Sequence, residues 1–140
     1  QLSKRNPDIA GEDAGIIHAT FASGATALLD ASRYNESAAA DARYTFGTVR
    51  VDGSKGHIEL DLEGGLTFKP LGQPPRAIEY EHNRQGFAGD CVYTLQRHFT
   101  DCMLNDRPFE STGEDYRRTV ALVEACYESD AAGQVMKLRK

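Results

Sequence analysis

The sequence predicts an α+β domain: a largely antiparallel, open-faced sheet of about six strands with two helices packed on one face. Three observations carry that expectation. Residues 57–62 (His57-Ile58-Glu59-Leu60-Asp61-Leu62) alternate polar and apolar without a break, as a strand with one wet and one buried face requires. Short β-branched and aromatic runs in the first part of the chain are separated by glycine turn signals at hairpin spacing. From about Asp90 onward the apolar spacing becomes three and four residues, the period of a helix.

The elements follow in order. Residues 1–15 are polar and broken by Pro7, Gly11 and Gly15, so they read as an irregular leading segment ahead of a single domain over 16–140. Ile16 to Phe21 is the first strand, Ser23-Gly24 the turn, and Ala25 to Arg33 the second strand of a hairpin. Residues 34–42 fit a loop or a short helical turn. Tyr44 to Asp52 regains strand character through Phe46, Val49 and Val51. Gly53-Ser54-Lys55-Gly56 turns it into His57–Leu62, and Gly64-Gly65 turns that into Leu66–Lys69. A loop with Pro70, Gly72, Pro74 and Pro75 precedes a strand over Ala77 to His82. The first helix has Asp90 as its expected N-cap and Val92, Leu95, Phe99 and Cys102 on one stripe, and it stops at Asn105-Asp106-Arg107-Pro108. Thr112 with Asp115 makes a capping-box start for the second helix. Its stripe is Tyr116, Val120, Val123 and Tyr127, and Gly133 sits where a C′ glycine belongs. Val135 to Leu138 reads as a closing strand.

Composition narrows the function classes. A chain of 140 residues is one domain's worth and can bury roughly 68–70% of its unfolded surface, so it needs no disulfide or metal staple. A net charge of −5 argues against nucleic acid and anionic membranes as partners, because phosphates call for clustered Lys and Arg. No apolar run approaches the ~18 residues of a bilayer span, and the polar start Gln1-Leu2-Ser3-Lys4-Arg5 is no signal peptide. Cys91, Cys102 and Cys126, odd in number and without CxxC spacing, suggest reduced thiols in a cytoplasmic protein. The first residue is Gln, which suggests a piece of something longer.

No complete catalytic constellation is legible. The glycine pairs Gly53/Gly56 and Gly64/Gly65 do not open helices, so they cannot aim helix N-terminal amides at a phosphate, and no cofactor-binding residue is assigned. His18, His57, His82 and His98 lack metal-ligand spacing, so no metal site is expected. The acids Asp30, Glu59, Asp61, Glu63, Glu79 and Glu81 mostly alternate with apolar residues, as on a solvated strand face. The cysteines lie among apolar residues of the helices and read as buried, inert thiols. Arg33, Tyr34, Asn35 and Tyr44 are hydrogen-bonding groups at strand ends, suited to a polyol or a carboxylate, and they are the candidate substrate-binding residues.

Several segments carry a resemblance to a known family. They are Glu12-Asp13 through Asp30-Ala31-Ser32-Arg33; Val51-Asp52-Gly53-Ser54-Lys55-Gly56-His57-Ile58-Glu59-Leu60-Asp61; Asn105-Asp106-Arg107-Pro108-Phe109; Thr112-Gly113-Glu114-Asp115; and Glu124-Ala125-Cys126-Tyr127-Glu128-Ser129 with Gly133-Gln134-Val135. In that order and spacing they resemble the C-terminal domain of the Gfo/Idh/MocA oxidoreductases, over nearly the whole chain. The resemblance implies a two-domain parent. Its N-terminal Rossmann domain would bind NAD(P) and supply the catalytic lysine of a Glu-Lys-Pro motif, while its sheet domain would cover a sugar, inositol or related polyol and pair as a homodimer. This chain has neither the glycine fingerprint nor the Glu-Lys-Pro motif, so it is not expected to act alone. A non-catalytic assembly module is the competing reading. A stand-alone hydrolase would need a constellation that the sequence does not contain. Apolar residues on both faces of the first two strands (Ile16, Ile17, Ala19 and Phe21 with Ala27, Leu28 and Leu29) point to self-association through the sheet.

Overall fold

The structure, a computed structural model, describes residues 1–34, 38–41, 47–86 and 88–138. Among these residues the order of elements is β1 (Leu2–Ser3), β2 (Ala14–Thr20), β3 (Thr26–Ser32), β4 (Val49–Gly53), β5 (Gly56–Leu60), β6 (Leu66–Pro70), β7 (Arg76–Ala77), α1 (Cys91–Leu104) and α2 (Gly113–Ala132). Every strand pairing is antiparallel, so the α+β class holds. Among the described residues the strands do not form one sheet of about six, however. They form a three-stranded sheet, β1-β2-β3, and a four-stranded sheet, β4-β5-β6-β7. The ladders β2–β3, β4–β5, β5–β6 and β6–β7 are each fixed by a connection of a few residues, whereas no such short connection joins β3 to β4.

The chain divides into two compact units, Gln1–Glu36 with Glu110–Lys140, and Ser37–Phe109. In the first unit, the β2–β3 hairpin closes through Phe21 N–H to the Ala25 carbonyl (2.8 Å) and Gly24 N–H to the Phe21 carbonyl (2.9 Å), with Gly24 at φ 87°. The register pairs Ile16 with Asp30 and His18 with Leu28, so these four share one face. Ile17, Leu29, Ala19 and Ala27 share the other. α2 starts on the expected capping box: the Thr112 hydroxyl accepts from Asp115 N–H, and the Asp115 carboxylate accepts from Thr112 N–H. It ends at Gly133 in the left-handed region (φ 61°). Two side chains tie α2 to the leading residues. Asp130 accepts from Leu2 N–H (2.8 Å), and the Tyr127 hydroxyl donates to Glu12.

In the second unit the alternation of residues 57–62 places Val49, Val51, Ile58, Leu60, Leu66 and Phe68 on one face of the sheet. Arg50, Asp52, His57, Glu59, Thr67 and Lys69 lie on the other. α1 folds its C-terminal loop back on itself. Phe99 stacks on Phe109 at 5.4 Å, and Cys102, the only buried hydrophobic residue among those described, donates its thiol to the Pro108 carbonyl at 3.5 Å.

Four local expectations need correction. Asp90 holds the N-cap position of α1 but makes no side-chain cap bond. It sits in the left-handed region (φ 60°), and its carboxylate accepts from the Asn83 side-chain amide (2.7 Å) instead. The strand expected over Ala77 to His82 shrinks to the end of β7, and beyond it the Tyr80 hydroxyl donates to the Gly64 carbonyl. Val135 to Leu138 is not a strand. It has no ladder partner among the described residues, and Val135 is exposed. Cys91 is likewise exposed rather than buried, and Cys126 is half-buried.

Candidate functional site

Among the described residues of the first unit, Asp13 is a highly connected polar group, which the sequence reading did not single out as a site residue. It lies just before β2 and is only 7% exposed. Its carboxylate accepts from Arg5 N–H (3.0 Å), Asn6 N–H (2.7 Å) and the Tyr34 hydroxyl (2.7 Å). Its backbone is fully engaged as well: its N–H donates to the Ser3 carbonyl (3.0 Å), and its carbonyl accepts from Arg33 N–H (2.9 Å). Burial pushes the Asp13 carboxyl up, but the bonds from Tyr34, Asn6 and Arg5 outweigh it and hold the group below its usual value. The same bond, to a carboxylate, raises the Tyr34 phenol and keeps it protonated. One buried anion therefore binds together residues 3–6, the start of β2 and the chain just after β3. A carboxylate can accept several donors at once, which is the chemistry that this junction of three segments needs.

Of the four candidate substrate contacts, the structure brings Arg33 and Tyr34 together on that junction. Both are exposed, Tyr34 by 45%. The Arg5 guanidinium lies 5.8 Å from the Tyr34 ring centroid. Asn35 and Tyr44 fall outside the described residues. Beside the junction, a cleft of about 370 Å³ opens on the β1–β2–β3 sheet, with Ser3, Arg5, Ile16, Asp30 and Ser32 in its lining. That volume lies in the range of small-molecule sites. Its polar side chains are one guanidinium, one carboxylate, two hydroxyls and the Gln1 amide, a set that hydrogen-bonds hydroxyls and carboxylates. Asp13 had a signal in the sequence, the Glu12-Asp13 pair ahead of the first strand, but nothing in the pattern shows that two distant segments converge on it.

The second unit carries a separate charged lattice on its polar sheet face. Arg50 donates twice to Asp52 (2.8 and 3.0 Å), and Lys69 donates to Glu59. Those hydrogen bonds are the main reason that both carboxyls sit below their usual values. His57 lies between them: Nδ1 is 4.0 Å from Asp52, and Nε2 is 3.2 Å from Glu59 but without hydrogen-bond geometry. The acids on this face are thus paired rather than simply solvated. Among the described residues no group of three or more His, Cys, Asp or Glu is placed to hold a metal ion. No helix among them is long and apolar enough to cross a membrane.

A dinucleotide pyrophosphate needs free N–H groups and positive potential at a helix N-terminus. Here Asp90 stands at the N-cap of α1. At α2, Glu114 and Asp115 occupy the first turn, and the Thr112 hydroxyl already takes the Asp115 N–H. These helix ends do not fit the cofactor.

Comparison with known proteins places this architecture among oxidoreductases. The crystal structure of an oxidoreductase from Agrobacterium radiobacter in complex with NAD+, L-tartaric acid and magnesium matches with a TM-score of 0.76 and 26% identity, over 96% of this chain and 40% of that one. This bears out the resemblance to the C-terminal domain of the Gfo/Idh/MocA oxidoreductases. The sequence relatives are more particular. A D-apiose dehydrogenase of Paraburkholderia graminis is 31% identical over 150 residues, covering 98% of this chain and 38% of that protein. A D-apiose dehydrogenase of Rhizobium rhizogenes is 29% identical over 141 residues, covering 95% and 40%. The chain thus spans about 40% of the length of the relatives that it matches. No family model matches it.

Proposed function

We propose that this chain is the substrate-covering and dimerisation part of a cytoplasmic NAD(P)-dependent dehydrogenase acting on a sugar, inositol or related polyol. The observation that carries the reading is the alignment of nearly the whole chain with a minor share of two D-apiose dehydrogenases. The larger remaining share of such a protein has room for a Rossmann domain. The acids at the helix ends of this chain support placing NAD(P) there rather than here. No part of hydride transfer is assigned to residues of this chain. Their role is binding and orientation, in which a polyol is held by hydrogen bonds from strand ends while the covering sheet excludes water. Arg33, Tyr34, Asn35 and Tyr44 are the proposed substrate contacts. Arg33 and Tyr34 are supported by their exposed position beside the cleft.

The test uses the full-length protein, with NAD+ or NADP+ and a panel of pentoses and polyols that includes D-apiose, followed by the absorbance of the reduced nicotinamide. Turnover on at least one sugar is expected. Arg33→Ala should raise KM about tenfold or more, the size expected when a hydrogen bond from a charged donor is lost. If Arg33→Ala and Tyr44→Ala both keep wild-type kinetics, the substrate assignment is wrong.

A further inference from the structure

We propose that Asp13 is a positioning residue that fixes Tyr34 as a hydrogen-bond acceptor and anchors Arg33 beside it, so that this junction recognises a hydroxyl of a neutral diol. The inference rests on the reading of Arg33 and Tyr34 as substrate contacts and adds the device that sets their polarity. A phenol has one proton to donate, and Tyr34 donates it to Asp13 at 2.7 Å. What remains on the Tyr34 oxygen is a lone pair, which a substrate O–H can use and a substrate carboxylate cannot. Arg33 has only donors, so it complements Tyr34 by binding a hydroxyl oxygen. The two residues together therefore present one acceptor and a set of donors, the pattern that two hydroxyls of a sugar satisfy.

The anchoring is strict. Asp13 is buried, and its carboxylate is held from three sides by Arg5 N–H, Asn6 N–H and the Tyr34 hydroxyl. Its carbonyl accepts Arg33 N–H at 2.9 Å, so the same residue sets the backbone from which the Arg33 side chain leaves. Tyr34 remains 45% exposed, so a ligand can reach the ring whose hydroxyl is held. A further contact fixes the turn: Tyr34 N–H donates to the Ser32 hydroxyl at 3.2 Å, and Ser32 lines the neighbouring cleft.

Steady-state kinetics of the full-length protein on the sugar that it oxidises fastest test the proposal, with thermal midpoints measured alongside. Tyr34→Phe and Asp13→Ala should each raise KM about five- to tenfold, the loss of one neutral hydrogen bond, and change kcat by less than about twofold. Asp13→Asn, whose amide oxygen can take the same place and accept from Tyr34 and Asn6, should return KM to within about twofold of wild type. Arg33→Ala should add less in the Asp13→Ala background than alone, because Asp13 acts through its neighbours. Should Asp13→Ala fail to fold, Tyr34→Phe and Asp13→Asn carry the same contrast. If Arg33→Ala raises KM while Asp13→Ala only lowers the thermal midpoint, or while Tyr34→Phe leaves KM unchanged, the positioning role is overturned and the substrate reading stands. If none of the variants, Arg33→Ala included, changes KM, the substrate reading fails and this inference fails with it.

Discussion

Gly56→Ala is the substitution whose cost the structure defines most sharply. Gly56 opens β5, pairs with Gly53 across the turn and with Pro70 on β6, and has φ 136°. An added Cβ would fall inside van der Waals contact of the Lys69 carbonyl oxygen and 2.7 Å from the Pro70 Cα. Both are backbone atoms of a hydrogen-bonded ladder and cannot swing aside as the end of a flexible side chain would. Two costs add. Forcing an L-residue into that backbone region costs about 1–3 kcal/mol, and overpacking against a fixed neighbour costs about 1–3 kcal/mol more. The expected loss is therefore about 2–6 kcal/mol, a large fraction of the roughly 5–15 kcal/mol that holds an ordinary domain together. Urea unfolding followed by far-ultraviolet circular dichroism gives the number. Gly113→Ala is the internal control. A Cβ there meets nothing within 4 Å at the first residue of α2, so that variant should be neutral or gain up to about 1 kcal/mol of helix propensity. A Gly56→Ala protein within 0.5 kcal/mol of wild type, a threshold set by ordinary surface substitutions of about that size, would refute the β5–β6 register described above.

Other expectations follow from the same geometry. Thr112→Ala removes the capping box of α2 and should cost about 1 kcal/mol in the same assay. The Asp115 carboxyl is held below its usual value, first by the Thr112 hydroxyl, and Asp13 is also depressed in the folded chain. A depressed folded value means that stability is present above the unfolded carboxyl value of 3.8 and is lost as pH falls through the lower folded value. Wild type should therefore lose stability below about that pH, and Asp115→Asn should show a shallower acid slope. If the two acid profiles superimpose, the cap contributes nothing through its charge. Self-association should appear in light scattering as twice the 15.4 kDa chain mass, and Leu28→Lys, on the open face with Ile16, should return it to one chain. A wild-type mass of 15.4 kDa at tens of micromolar would mean that this face is simply solvated.

How much of this was legible in the sequence depended on whether the governing interaction was local. The alternation of residues 57–62 placed β5 correctly, and the Thr112/Asp115 cap placed the start of α2, because both signals operate within a few residues. Arg33 and Tyr34 were legible as polar groups at a strand end. Their dependence on Asp13 was not, since it joins residues 21 apart through a buried carboxylate that looks like any surface acid in a list of residues. The division into two sheets escaped for a related reason. Each hairpin declares its own register, but nothing local says whether β3 must pair with β4. Asp90 was misjudged as a side-chain cap because Asn83, seven residues earlier, competes for its carboxylate. The strand expected at residues 77–82 ends at Ala77, and the tyrosine hydroxyl beyond it bonds a carbonyl 16 residues away, a contact that no local pattern announces.

The central claim is that this chain forms the substrate side, and not the cofactor side, of a nicotinamide-dependent sugar dehydrogenase. Titration of NADH fluorescence, run in parallel on the isolated chain and on the full-length protein, tests it most directly. The account predicts saturable binding by the full-length protein and none by the isolated chain, where acids stand at the helix ends that a pyrophosphate would need. Saturable micromolar binding of NADH by the isolated chain would contradict it.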